Sequence, residues 1–138
     1  MADPPTLVCS CLCGGVRFEV TEPFIVVSQC HCTSCKKLSG GYGTVSGRAR
    51  TEAIRILEGE ELLRSFQPEE GTSKTFCSVC GSNLFGGGWP EREFASVRLA
   101  TIESDFDRKP EAHIFVRSVA DWEIFLDDGL PRYETRAT

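Results

Sequence analysis

The chain has 138 residues, of which 41% are hydrophobic and 25% are charged. This composition is globular, and the length suits one domain with a substantial core. The formal net charge of -5 argues against a sequence-independent nucleic-acid binder, whose affinity would come from neutralising phosphates. No apolar run approaches the roughly 20 residues that cross a bilayer, and the first residues lack the pattern of a secretion signal. We therefore expect one domain over residues 1–138, in the cytoplasm, with no nucleic-acid or membrane partner.

Short segments rich in β-branched and aromatic residues predict strands along most of the chain. In the first of them, Val16, Phe18 and Val20 alternate with charged residues, which is typical of a half-buried strand. The predicted strands cover residues 16–20, 54–57, 62–66, 94–100, 113–118 and 122–126. The connections are too short for helical crossovers, so we expect mostly antiparallel pairing. The sequence thus predicts a mainly β fold.

Helical signals are few. A short helix is predicted after Thr33, with Thr33 or Ser34 as its N-cap and Gly40 as its stop. A further helical turn is predicted to begin at Ser104. The remaining glycine-rich and acidic segments, which include residues 58–61, 86–90 and 127–129, are interpreted as plain turns.

The distinctive feature of the composition is its eight cysteines. At about 6% they are fewer than in a typical disulfide scaffold. In a reducing compartment, clustered cysteines bind metal more often than they form disulfides. They fall into three groups: Cys9, Cys11 and Cys13; Cys30, Cys32 and Cys35; Cys77 and Cys80.

Two of these groups together predict a closed, structural zinc site. The turn C-x-x-C-G lets Cys77 and Cys80 face one ion, and Gly81 permits the tight bend. Cys11 and Cys13 are two residues apart, so on a strand they would project to one face and complete a tetrahedron. The alternative is four reduced thiols without a metal. Cys9 has the same parity as Cys11 and could compete, but two pairs already complete the site, so we expect Cys9 to remain unligated.

The middle group predicts a second metal site of a different kind. Cys30, Cys32 and Cys35 supply three ligands from one loop and leave a fourth position open, as in catalytic zinc sites. Three thiolates over-neutralise a divalent cation, so such an ion would ionise water poorly and hydrolysis is disfavoured. It is better suited to hold a fourth sulfur as a nucleophilic thiolate. We expect nearby basic side chains to attract an anionic thiol, namely Lys36, Lys37, Arg48 and Arg50.

Other interpretations of this loop stay open on the sequence. They are a second structural zinc completed by Cys9 or His31, an iron–sulfur centre and a metal-free redox loop. Since His31 lies between two ligands, we expect it to point away from them, towards solvent or behind the site. His113 alternates with Phe115 in an apolar segment and is interpreted as a structural histidine with satisfied hydrogen bonds.

The cysteine motifs and their flanks resemble a known family. The segments CLCGGVRFEV, QCHCTSCKKLSG, FCSVCGSNLF, AHIFVRS and GLPRYE occur in this order over nearly the whole chain. They are similar to the glutathione-dependent formaldehyde-activating enzyme family, which also includes centromere protein V. The resemblance implies a zinc-stabilised β-tent of packed antiparallel sheets. It also implies a structural zinc on Cys11, Cys13, Cys77 and Cys80 and a catalytic zinc on Cys30, Cys32 and Cys35.

The resemblance further implies an activity. The family reaction condenses glutathione with formaldehyde to S-hydroxymethylglutathione and is classed as a carbon–sulfur lyase reaction. We therefore expect two zinc ions, the second more labile than the first. Glutathione or a similar thiol and formaldehyde or another small aldehyde would be the small-molecule partners. The alternative is a non-catalytic, zinc-stabilised binding module.

Overall fold

The structure, a computed structural model, describes residues 6–137 and is mainly β, with two sheets. The strands are β1 (Leu7–Ser10), β2 (Arg17–Val20), β3 (Val27–Cys30), β4 (Thr44–Arg50), β5 (Ile54–Glu58), β6 (Leu63–Phe66), β7 (Lys74–Cys77), β8 (Asn83–Gly86), β9 (Phe94–Arg98) and β10 (Ala112–Ile114). One short helix, α1 (Thr33–Ser39), lies between β3 and β4. The predicted fold class is confirmed.

Backbone contacts divide the chain into two compact units. The first comprises described residues 6–25 and 47–107, and the second comprises described residues 26–46 and 108–137. Strand β4 begins in the second unit and ends in the first. The interpretation of residues 1–138 as a single domain stays a prediction.

The first unit is built from antiparallel strands. Strands β1, β2 and β5 form one sheet in that order, with Leu7 opposite Val20 and Val20 opposite Ile54. Strands β9, β8, β7 and β6 follow one another in the other sheet. The connections between successive strands here are short, which suits antiparallel neighbours.

The core of the first unit follows the predicted alternation. Val16, Phe18 and Val20 are all fully buried, and the Phe18 ring meets Phe85 edge-on with 4.7 Å between centroids. Trp89 stacks on Phe85, with 4.5 Å between the ring centroids. Burial of each such aromatic ring stabilises the fold by about 2–3 kcal/mol.

The second unit contains β3, β10, the start of β4 and α1. Strands β3 and β10 are parallel, and Gln29 lies opposite His113 and Cys30 opposite Ile114. This parallel pair is possible because the two strands are far apart in the sequence. The helix α1 has seven residues, and no helix in the described part of the chain is long and apolar enough to cross a membrane.

Several predicted elements are wrong in detail. Residues 122–126 form no strand, and the strand predicted over 113–118 ends at Ile114 because Phe115 adopts the left-handed conformation, with φ 58°. The helical turn predicted from Ser104 is absent, and a 3-10 turn occurs earlier, at Leu99–Thr101. Helix α1 is confirmed, and Gly40 ends it in the left-handed conformation with φ 74°.

Candidate metal centres

The first unit contains a cluster of four cysteine sulfurs. The Sγ atoms of Cys11, Cys13, Cys77 and Cys80 all lie within 4.8 Å of one another. The Sγ atom of Cys13 is 3.6 Å from that of Cys11 and 3.9 Å from that of Cys77. In a tetrahedral site with Zn–S bonds of 2.3 Å the sulfurs are about 3.8 Å apart. The cluster therefore fits a tetrahedral zinc ion in both donor type and spacing.

Two tight turns position these four sulfurs. Gly14 donates its N–H to the Cys11 carbonyl at 3.0 Å, and Gly81 donates its N–H to the Cys77 carbonyl at 2.8 Å. Both glycines have positive φ, near 76°, a conformation that side chains disfavour. The expectation that Cys11 and Cys13 share a strand face is wrong, because β1 ends at Ser10 and the pair converges through a turn.

Neighbouring hydrogen-bond donors favour the thiolate form of two of these cysteines, Cys11 and Cys80. The Val16 N–H donates to Cys11 Sγ at 3.2 Å. The Ser82 hydroxyl, 3.2 Å from Cys80 Sγ, lowers the pKa of Cys80 to about 5 despite partial desolvation. Ser82 also accepts a hydrogen bond from the Leu12 N–H at 3.0 Å, so one side chain links the two cysteine turns. Thiolates are the form that binds metal.

Cys9 belongs to neither cluster. It is fully buried, and burial raises the pKa of its thiol to about 11. A protonated, inaccessible thiol behaves as a small hydrophobic side chain. This environment agrees with the expectation that Cys9 is not a ligand.

The second unit contains a cluster of three sulfurs. The Sγ atoms of Cys30, Cys32 and Cys35 all lie within 4.8 Å of one another, and no further cysteine, histidine or carboxylate of the described residues joins them. Cys30 ends β3, and Cys35 lies buried in the first turn of α1. The spacing and the soft donor set again fit zinc, with one tetrahedral position left for another ligand.

The cap of helix α1 differs from the prediction. Neither Thr33 nor Ser34 is the N-cap; Cys32 is, and its Sγ accepts the Cys35 N–H at 3.4 Å. The cap therefore also holds two of the three sulfurs in one turn. Hydrogen bonding to Cys32 and Cys35, together with burial, raises the pKa of Cys30 in the absence of a cation. Close sulfurs of this kind need a positive ion to be thiolates together.

The two lysines that follow the cysteine motif differ in their surroundings. The Lys36 ammonium donates to Glu123 Oε2 at 2.9 Å and to the Ser118 carbonyl, so this cation is already neutralised. Lys37, the next residue, is exposed.

Arg48 and Arg50, the two arginines expected to attract the thiol, lie in the first unit and have partners there. The Arg48 guanidinium packs over the Phe94 ring at 4.7 Å. Arg50 pairs with Glu22 and Glu52. Of the four predicted cations, Lys37 alone is left as an exposed charge on the element that carries the three-cysteine cluster.

A buried hydrogen-bond chain adjoins the three-cysteine segment. His31 and His113 are 1% and 5% exposed, and His31 Nε2 is 2.9 Å from His113 Nδ1. His113 Nε2 is 2.7 Å from Asp128 Oδ2. Because a carboxylate only accepts, His113 donates to Asp128 through Nε2; in a neutral His113 this leaves Nδ1 to accept the Nε2–H of His31. The expectation of a structural, hydrogen-bonded His113 agrees with these contacts.

The far side of His31 faces a buried carboxylate. His31 Nδ1 lies 4.0 Å from Glu123 Oε1 and has no hydrogen-bond partner. Burial lowers the pKa of His31 and so favours its neutral form, in which Nδ1 carries no proton when Nε2 donates to His113. For Glu123, burial is opposed by the Ala120 N–H and the Lys36 ammonium, which together lower its pKa. The side chain of His31 is thus buried against His113, Phe125 and Glu123, and the alternative that it faces solvent is wrong.

Three residues of this arrangement, Glu123, Phe125 and Asp128, are not predicted as functional residues from the sequence. Local sequence predicts a solvated turn at Asp128 and a strand that contains Glu123 and Phe125. In the structure, the Phe125 ring meets both histidines edge-on at about 5 Å. The one available signal was Glu123 itself, an acidic residue within an otherwise apolar run.

The fold and the two clusters define a small, mainly β protein with two candidate metal centres rich in sulfur. The family model described as glutathione-dependent formaldehyde-activating enzyme matches residues 6–118. This match covers well over half of the chain. The chain belongs to the glutathione-dependent formaldehyde-activating enzyme family.

Individual relatives agree with this assignment. A Halomonas elongata protein, provisionally named for the same activity, is 37% identical over 124 residues, which cover 82% of this chain and 76% of that protein. A similarly named Penicillium rubens protein is 25% identical over 116 residues, and the match spans only 61% of its length. The crystal structure of a Rhodobacter sphaeroides protein superposes with a TM-score of 0.60 at 22% identity, over 91% of this chain and 98% of that one. That likeness supports the fold.

Proposed function

We propose that this protein is a zinc-dependent enzyme that acts on a thiol and a small aldehyde. Glutathione or a similar thiol would bind at the three-cysteine cluster and be added to, or released from, formaldehyde or another small aldehyde. The observation that carries the proposal is the difference between the clusters. One brings together four sulfurs, and the other brings together three, with no fourth cysteine, histidine or carboxylate from the described residues.

The donor chemistry supports zinc at both clusters. Thiolate ligands at tetrahedral spacing favour zinc over hard cations such as magnesium or calcium. We assign Cys11, Cys13, Cys77 and Cys80 to a structural zinc. We assign Cys30, Cys32 and Cys35 to a catalytic zinc, which should be the more labile because it has fewer protein ligands.

The charge of the three-cysteine site favours a thiol over water as its substrate. A zinc ion bound by three thiolates would be a weak Lewis acid, and it would hold an incoming thiol in its ionised, nucleophilic form. Attack of the thiolate lone pair on the aldehyde carbon forms the C–S bond and moves the C=O π electrons onto oxygen. That oxygen then takes up the proton that the thiol released, so the reaction is balanced without an oxidant or reductant. This is a carbon–sulfur lyase reaction in its reverse sense, like that of an S-(hydroxymethyl)glutathione synthase.

Residues of the chain would bind and orient the thiol. Lys36 is neutralised by Glu123, so in this proposal it holds α1 to residues 118–123 and does not bind substrate. Lys37 is exposed in the last turn of α1 and is the proposed contact for a glutathione carboxylate. We place the reaction in the cytoplasm, where glutathione is abundant in its reduced form.

The decisive experiment is a titration of the zinc-loaded protein with glutathione, followed by an assay of formaldehyde exchange. Exchange between glutathione and its hydroxymethyl adduct is measured by NMR with and without protein, because thiols add to formaldehyde without a catalyst. We expect saturable glutathione binding and exchange faster than the background. Cys32→Ser is the control and should lose both.

The rival function is a zinc-stabilised binding module without catalysis. It would be supported by two zinc ions that resist chelators equally and by an absence of glutathione binding. If glutathione binds but formaldehyde exchange is no faster than the background, the cluster binds thiols but the protein is not a lyase.

A further inference from the structure

We propose that His31 and His113 are positioning residues for the three-cysteine site, and that Asp128 holds both imidazoles in one orientation. The inference rests on the proposed function only in taking this cluster as a metal site. The reaction catalysed there does not enter the argument. What supports it is a continuous hydrogen-bond chain that begins between two of the sulfur ligands and ends at the surface.

The first link in the chain is His31. It is flanked by Cys30 and Cys32, so any rotation of this residue moves the backbone that carries both sulfurs. Its backbone N–H donates to the Ile114 carbonyl at 2.9 Å, and its ring Nε2–H donates to His113 Nδ1 at 2.9 Å. The segment between two ligands is therefore fixed at its backbone and at its side chain by the same neighbouring strand, β10.

The second link is His113, which is itself fixed on several sides. Its backbone N–H donates to the Pro131 carbonyl, and its carbonyl accepts the Tyr133 N–H, each at 2.9 Å. The ring donates to Asp128 at 2.7 Å and meets the edge of Phe125. The Phe125 ring is covered in turn by the Arg132 guanidinium at 3.9 Å.

Asp128 sets the donor-to-acceptor direction of the hydrogen bonds in this chain of side chains. Because its carboxylate takes the Nε2–H of His113, only Nδ1 is left to accept from His31. Without Asp128, His113 can carry its proton on either ring nitrogen, so the hydrogen bond to His31 loses its fixed direction. Partners behind metal ligands commonly change metal affinity by 10–100-fold when they are removed. We therefore expect Asp128 to raise the metal affinity of a cluster to which it contributes no ligand.

The test compares Asp128→Ala with Asp127→Ala in cobalt titrations of the full-length apo protein. The two substitutions are closely matched: each removes an exposed charge and one hydrogen bond to the following turn, from Gly129 to Asp127 and from Leu130 to Asp128. Only Asp128 contacts a histidine. The thiolate-to-cobalt absorption that disappears in Cys32→Ser reports the three-cysteine cluster. We expect about tenfold weaker binding in Asp128→Ala and a change of less than twofold in Asp127→Ala.

A second pair of variants separates positioning from packing. His113→Asn keeps an acceptor where Nδ1 was, whereas His113→Gln keeps a polar group where Nε2 was. If the chain positions the cysteines, the Asn variant resembles Asp128→Ala, and the Gln variant binds cobalt about tenfold more weakly still because His31 loses its acceptor. If His113 only fills space, Gln, which is closer to histidine in volume, performs better than Asn.

The outcomes separate this inference from the proposed function. Equal cobalt affinities in Asp128→Ala and Asp127→Ala, or better binding in His113→Gln than in His113→Asn, would overturn the positioning role and leave the thiol chemistry intact. A wild-type protein without any cobalt absorption that depends on Cys32 would overturn the metal site, and the positioning role with it. The expected order of affinities supports the inference even if no aldehyde reaction is detected.

Discussion

At the scale of single residues, the second unit contains a buried ion pair between Glu123 and Lys36, one of the cations that the sequence predicts near the thiol site. The side chain of Glu123 is 2% exposed and that of Lys36 is 12% exposed. Glu123 Oε2 also accepts the Ala120 N–H. Without the Lys36 ammonium, the buried Glu123 carboxylate would keep only the Ala120 N–H as a hydrogen-bond partner among the described residues, and an unpaired buried charge destabilises the folded state.

Lys36→Met should therefore lower the free energy of unfolding by about 2–3 kcal/mol. The matched control is Lys37→Met, which removes the neighbouring, exposed charge and should change stability by less than about 0.5 kcal/mol. Urea unfolding of both variants measures the difference. Equal effects would show that the Lys36–Glu123 pair does not stabilise the fold.

The Cys9 thiol should make stability depend on pH in the alkaline range. Burial raises its folded pKa from 9.0 to about 11, so the unfolded thiol ionises first as pH rises. Between about pH 9 and 11 the folded state binds more protons, and the free energy of unfolding falls with pH, by at most about 2–3 kcal/mol. Cys9→Ala should lose this contribution, so its stability should decline less between pH 8.5 and 10.5. Parallel declines in urea unfolding would contradict the prediction.

At the scale of elements, the three-cysteine cluster depends on a close approach between the end of β3 and the residue before β4. Gly43 has φ 101°, and a Cβ atom there would lie 2.0 Å from the Cys30 carbonyl oxygen. The motif C-x-C-x-x-C predicts which cysteines could share a metal ion, since it places three thiols within six residues. The approach of Gly43 could not be predicted, because it depends on how β3 and β4 lie in the sheet.

Gly43→Ala should displace the Cys30 backbone and weaken metal binding at the three-cysteine cluster. We expect a loss of about 2 kcal/mol or more in stability from the positive φ and the contact together. Gly41→Ala is the control, since a Cβ there meets nothing within 4 Å. Cobalt titration and thermal unfolding of both variants give the result, and a Gly43→Ala protein with unchanged cobalt affinity would count against it.

At the scale of the whole molecule, each cluster lies within one compact unit, but the two differ in the sequence separation between their cysteines. The four-cysteine cluster joins Cys13 to Cys77, 64 residues away, whereas the three-cysteine cluster closes only a loop of six residues. A metal that joins distant segments stabilises the folded chain more, because it removes more freedom from the unfolded state.

Cys77→Ser should therefore destabilise the protein far more than Cys32→Ser. Structural zinc sites of this type contribute about 10–16 kcal/mol of apparent binding free energy, so loss of a ligand should expose the first unit to hydrogen exchange. Cys32→Ser should leave exchange in that unit unchanged and alter only the segment around α1. Similar global unfolding of both variants would contradict the division into structural and catalytic sites.

The sequence by itself determined the features that depend on local spacing. Alternation placed Val16, Phe18 and Val20 in the core, and cysteine spacing identified the sulfurs that cluster as candidate ligands, because both patterns act over a few bonds. Only the tertiary structure decided that Glu123 neutralises Lys36 and that Asp128 orients His113. Those partners are 87 and 15 residues apart, and their meeting depends on how the segments fold over one another. An acidic turn has the same local sequence whether its carboxylate contacts only solvent or accepts a hydrogen bond from a buried histidine, so only the packing distinguishes the two.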